Sequence, residues 1–273
     1  MNRFLRRPIS AVSALRTVRL YSSAVDVDGP PLTETNRTEA TMKRFWKKAA
    51  VGRRDDSYTV LLDSRELKTP SGNVLILPPR KHLVATLVAS EWENQATTLK
   101  HHALPMTALA SRAIDAMVNE TTRDEVRRAL LEYLDTDTIC FHQDYPPPLV
   151  ELQAQHWDPL LAWARSTFNI RLETSESLLF SSQPSETKTK MAEILSTFDH
   201  WEMAAMERAT YATKSFIIAL ALVEKHLSVD QAALAAQVEV ASQIQRWGEV
   251  EDTHDVDYHD VRRQLGSAAC LLC

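Results

Sequence analysis

The sequence predicts an α+β protein, with a small β-rich N-terminal domain packed beside a larger, mainly α-helical C-terminal domain. Between residues 43 and 79, short apolar runs alternate with turn residues, which is the signature of hairpins. From Pro79 onward, apolar residues recur at helical spacing and are broken by prolines and cap residues.

The strand signals are local. YTVLLD at 58–63 is β-rich, and Ser64-Arg65 follows it. ELKTP, a Ser71-Gly72-Asn73 turn and VLIL at 74–77 then lead to Pro78-Pro79. A small antiparallel sheet results, and it needs something packed on its apolar face, because so few strands are not stable alone. Pro79-Arg80 opens a helix over KHLVATLVASEWENQ, and Trp92 in that helix is expected to pack the two domains together. Pro105 begins the next helix, at the first-turn position where proline is tolerated. Thr122 and Glu125 resemble a capping box before VRRALLEYL. Prolines 146–148 precede a further helix that Asp158-Pro159 interrupts, as a kink or as a break. Residues 169–182 read as non-helical or partly β. Helices follow over 186–198, about 200–226 and 228–247, the last capped by Ser228 and Gln231.

Composition narrows the function. A chain of 273 residues with 44% apolar and 25% charged residues is an ordinary globular one. Its net charge of -5 does not favour a nucleic-acid binder. The most apolar stretch, 215–223, is half the length of a membrane span. The N-terminus carries Arg3, Arg6, Arg7, Arg16 and Arg19 among apolar residues and serines, and the first acid is Asp26. That is the make-up of a mitochondrial transit peptide, over 1–23, and it predicts the mitochondrial matrix. Residues 24–40, with Pro30 and Pro31, read as a flexible linker.

Motifs for catalysis are absent from the sequence. With five glycines it has no GxGxxG, no P-loop and no GxSxG elbow, so no cofactor is expected. Cys140, Cys270 and Cys273 do not make a disulfide scaffold, and the terminal CLLC reads as a frayed end. His101 and His102 are adjacent and read as solvated. The alternative is a metal-dependent hydrolase built on the 249–260 carboxylates with His254, Asp255, Asp257, His259 and Asp260. The concentrated feature is WGEVEDTHDVDYHD at 247–260. Upstream, Val240, Ile244 and Trp247 share a helical stripe, with Glu239 near it. An apolar anchor beside Glu249, Glu251 and Asp252 suits a basic, partly apolar partner. The plain alternative makes Trp247 core and the acids a solubilising face.

Several segments together resemble the ATP12 chaperones, assembly factors of mitochondrial F1 ATP synthase. They are RFWK at 44–47, VLLDSRELKTPSG at 60–72, ASEWENQ around Trp92, LPMTALASRAID at 104–115, LLEYLDTDTIC at 130–140, HWDPLLAW at 156–163, KSFIIALAL at 214–222 and WGEVEDTHD at 247–255. The resemblance implies a non-enzymatic monomer that transiently holds the unassembled F1 α subunit and yields it to β. It makes Glu239 the best match for a family glutamate, followed by Glu249, Glu251 and Asp252. It ends after Asp257, so the expected plan is a β-rich domain with one helix over 41–100, a helical domain over 101–260 and a divergent tail over 261–273. A permanent subunit of a larger complex is the remaining alternative.

Overall fold

The computed structural model describes residues 43–176 and 182–273. The transit peptide expected at 1–23 and the linker expected at 24–40 lie outside the described residues. So do residues 177–181 of the non-helical segment.

Three antiparallel strands open the fold, in the order β1 (Ala49–Arg54), β2 (Ser57–Leu62) and β3 (Arg65–Glu66). Arg54 faces Ser57 across the Asp55-Asp56 turn, and Leu62 faces Arg65 across Asp63-Ser64. Asp55 and Asp63 take positive φ values, 51° and 56°, which aspartate tolerates better than branched residues do. The Asp63 carboxylate also accepts from the Lys47 and Lys48 N–H groups, and these bonds lower its pKa. The segment VLIL at 74–77 touches the sheet through single bridges and is not a regular strand. Tyr58 and Leu77 exchange both main-chain bonds, at 2.8 Å each. The turn before it forms as expected, with Gly72 at φ 87°. Val60, Leu62, Leu67, Leu75 and Leu77 are buried with Val84, Ala85 and Val88 of α1 (His82–Glu93), which supplies the cover the sheet needs.

The helical part follows. Helix α2 (Pro105–Asp115) has proline in its first turn and is capped from outside. The Glu91 carboxylate accepts from the Met106 and Thr107 N–H groups at 2.6 and 2.9 Å. Burial pushes Glu91 up, and the hydrogen bonds from Thr107 and Met106 oppose that shift. Helix α3 (Glu120–Asp135) begins earlier than the expected Thr122–Glu125 box. Asn119 is its cap, accepting from the Thr122 N–H. The interruption at Asp158-Pro159 separates two helices, α4 (Pro147–His156) and α5 (Asp158–Phe168). Buried Trp157 stands between them and donates its indole N–H to the Ala235 carbonyl at 2.8 Å. Helix α6 (Ser185–Thr197) follows.

The long helices expected over 200–226 and 228–247 are each two. Lys214 takes the left-handed conformation and Ser215 caps anew, so α7 (His200–Thr213) ends and α8 (Phe216–Val223) begins. Every residue of α8 is buried, against α3, α5, α7 and α9 (Val229–Ala236). Ser228 and Gln231 form the expected capping box of α9, and Gln237 separates it from α10 (Val238–Trp247). A fork of Arg112 on Glu207, at 2.9 and 2.7 Å, ties α2 to α7.

The C-terminal tail corrects the expectation most. The CLLC end, expected to fray, is reached by a continuous helix that takes in residues 261–271. These residues complete α11 (Thr253–Leu271), whose Leu265, Ala268 and Leu271 are buried. Helix α11 packs along α7 and also touches α1, α2 and α9. Lys81, 3% exposed, donates from Nζ to the Leu271 carbonyl at 2.6 Å. The ammonium thus satisfies a carbonyl that the helix end leaves open. Cys270 is half-buried within this helix and Cys273 exposed at its end. No helix among the described residues is long and apolar enough to cross a membrane.

One buried acid makes the stability pH-sensitive. Asp137 is 0% exposed and accepts from the Ile139 and Ile217 N–H groups at 3.2 and 2.9 Å. Burial raises its carboxyl from 3.8 to about 6. Because the folded value lies above the unfolded one, its contribution is full below 3.8 and is lost as pH rises through about 6. Wild type is therefore expected to lose on the order of 3 kcal/mol between those limits relative to Asp137→Asn. Urea unfolding of both proteins across that range checks this, and parallel stability profiles would refute it.

Candidate functional site

The acid-rich segment borders an apolar cleft of the helical part, and Glu249 is the acid of that segment that lines it. Helix α10 stops because Gly248 takes φ 87° and donates its N–H to the Ile244 carbonyl at 2.8 Å. The chain then turns through residues 249–252 into α11. Val250 donates its N–H to His254 Nδ1 at 2.9 Å, and Asp252 takes φ 64°, so the turn has a defined path. A cleft of about 170 Å³ opens between α4, α9, α10 and α11. Leu152, Leu234, Val240, Ile244 and Tyr258 form its apolar walls, and Glu249 stands at it.

Trp247 is 70% exposed, so the reading of it as core is overturned. Val250, Val256 and Tyr258 are also exposed, a concentration of large apolar groups that a solvated surface seldom carries. The structure separates the expected stripe: Val240 and Ile244 line the cleft, while Trp247 projects at the helix end. Glu239, in the first turn of α10, is exposed, as are Glu249, Glu251, Asp252, Asp255 and Asp257. Among the described residues none of these carboxylates is in an ion pair. The nearby cations are occupied. Arg246 lies over the rings of Trp247 and Tyr145, at 4.9 and 5.6 Å. Arg262 lies over Tyr258 at 3.5 Å and reaches Asp230 at 3.5 Å. The surface therefore offers unpaired negative charge around an apolar seat.

The metal alternative does not assemble. Among the described residues, no group of three or more His, Cys, Asp or Glu side chains could hold an ion. His254 is turned to the Val250 N–H, and Asp260 is held by Arg263 and Gln264.

Trp92 belongs to another region. Its ring lies 5.0 Å from that of Trp46, its indole N–H donates to Thr107 Oγ1 at 3.0 Å, and its carbonyl accepts from the Trp46 indole. It thereby joins the chain before β1 to α1 and α2. It is only half-buried and lines a second cleft with Leu99 and Leu104.

The model of the ATP12 chaperone protein family matches residues 43–165, from the segment before β1 into α5. The mitochondrial protein atp12 of Schizosaccharomyces pombe is 32% identical over 241 residues, covering 85% of this chain and 83% of that protein. The chain belongs to the ATP12 chaperone family. The mitochondrial protein ATP12 of Saccharomyces cerevisiae is likewise 32% identical, over 87% of this chain and 86% of its own. The crystal structure of Atp12 from Paracoccus denitrificans superposes with a TM-score of 0.72 at 26% identity, over 85% of this chain and 97% of that one. The ATP12 fold is thus shared along nearly the whole body. Of the cleft, Leu152 lies within the residues that the family model matches, and the walls from α9, α10 and α11 lie beyond them.

Proposed function

We propose that this ATP12 chaperone works in the mitochondrial matrix, where it binds the unassembled F1 α subunit, shields its interface and releases it to β. The observation that supports this reading best is exposed Trp247 beside an apolar cleft and unpaired carboxylates. An unassembled subunit exposes apolar surface that aggregates unless covered. Trp247 is the anchor, since large aromatic side chains dominate interface energies. Glu239, Glu249, Glu251 and Asp252 steer and align a basic flank of the client, which raises the rate of encounter and rejects acidic surfaces. Release needs no nucleotide, because a competing subunit with a larger complementary interface displaces the chaperone by mass action. The protein acts as a monomer without a cofactor and performs no chemical step.

The test is to mix residues 24–273 with unassembled α subunit, follow light scattering and binding, and then add β. Suppressed scattering, a one-to-one complex and displacement by β are expected. A folded chaperone that leaves α aggregation unchanged would sink the reading. Permanent recovery with the finished synthase would favour a structural subunit instead.

A further inference from the structure

At the opposite end of the sequence the sheet has an open edge. β1 is an edge strand, and its register fixes which main-chain groups it leaves unused. Tyr58 spends both its N–H and its C=O on Leu77, and the Val60 carbonyl accepts from Leu67 at 2.8 Å. These bonds lie on the side of β2 away from β1. Across the β1–β2 pair, Tyr58 faces Arg53 and Val60 faces Val51. Val51 and Arg53 therefore occupy the non-hydrogen-bonded positions of the ladder, and their N–H and C=O groups point out of the sheet. No described residue bonds to them. Ala49 is in the same phase, but its N–H is taken by the Glu93 carboxylate at 2.6 Å. The open template is thus short and begins just past that cap.

Its charge selects the strand that can add to it. Lys47, Lys48 and Arg53 are exposed along this edge, and none has an ion-pair partner among the described residues. The neighbouring cations are spent elsewhere: Arg54 on Glu66, and Arg44 on Glu93 and nearby carbonyls. Asp55 and Asp56 lie beyond the strand, in the hairpin turn. A second copy of β1 would bring like charges together across the new ladder, which is unfavourable. An acidic strand meets complementary charge on the same main-chain template.

We propose that β1 accepts an extended, acidic segment of a client polypeptide as a fourth strand. The main chain of Val51 and Arg53 supplies the hydrogen bonds, and Lys47, Lys48 and Arg53 select for acid. This surface does not depend on the C-terminal cleft, so each can fail alone.

Amide exchange of the full chain, read by NMR, tests it with two probes: an alternating Glu-Val peptide and its Lys-Val counterpart. With millimolar acidic peptide, the Val51 and Arg53 amides are expected to slow by about tenfold or more. The basic peptide should leave them unchanged. Val51→Pro removes the outward N–H without touching the β1–β2 ladder, a position where edge strands tolerate proline. It should abolish the protection while thermal unfolding stays cooperative, and Arg53→Glu should weaken it. Unchanged exchange at these two amides with acidic peptide overturns the proposal, as does protection that survives Val51→Pro. Protection produced by concentrating the protein alone would assign the edge to a second copy and also overturn it.

Discussion

Deleting residues 261–273 is expected to leave a chain without cooperative tertiary structure, although its helices persist. Leu265, Ala268 and Leu271 are buried in α11, and the deletion removes all three from a core shared with α7. Each large apolar side chain contributes about 1.5–3 kcal/mol by burial. Lys81 would also remain buried without the Leu271 carbonyl that it now meets at 2.6 Å. These losses together approach the ~5–15 kcal/mol net stability of a typical domain. Near-UV circular dichroism and urea unfolding of the truncated protein decide the matter. The milder Leu265→Ala should remain folded and lose about 2–5 kcal/mol. A truncated protein with the wild-type urea midpoint would show that the helix is dispensable.

Trp247→Ser is expected to weaken binding to the α subunit by about 2 kcal/mol or more, roughly thirtyfold in Kd. The fold should be untouched, because the side chain is 70% exposed and its ring contact is with the equally peripheral Arg246. Replacing Glu249, Glu251 and Asp252 together by lysine should act differently. It should chiefly slow association and remove the salt dependence of that rate, since exposed charges steer more than they hold. Stopped-flow binding at low and high salt separates the two effects. Wild-type affinity in Trp247→Ser would move the binding site off this surface, with the chaperone role left intact.

The Ser71-Gly72-Asn73 turn was legible because its chemistry is written locally, whereas the Asp55-Asp56 turn, which no glycine or proline marks, emerged only in the structure. The break at Lys214 was not legible either, because no glycine or proline marks it and apolar residues run on through α8. Only Ser215, a short polar residue before Phe216, carries the cap signal. The tail was misjudged for a related reason. Leu265, Ala268 and Leu271 have helical spacing, but small and polar neighbours dilute the pattern, and the partners that bury them lie far back in the sequence. The acidic rim could be read directly, because charged residues stay exposed without tertiary help. The cleft could not. Its walls come from Leu152, Leu234, Val240, Ile244 and Tyr258, on four helices that only packing brings together. The stacking of Arg246 and Arg262 on aromatic rings was equally hidden.

The bond from Lys81 to the Leu271 carbonyl spans 190 positions of sequence, and it orders events in time. A polypeptide leaves a ribosome, or a membrane pore, with its first residues leading. Here Lys81 receives its closing partner from α11, far along the chain. While the C-terminus is still confined, the emerged portion lacks one wall of its interior and stays soft. Such a chain suits passage through a narrow channel, since no finished globule blocks the way.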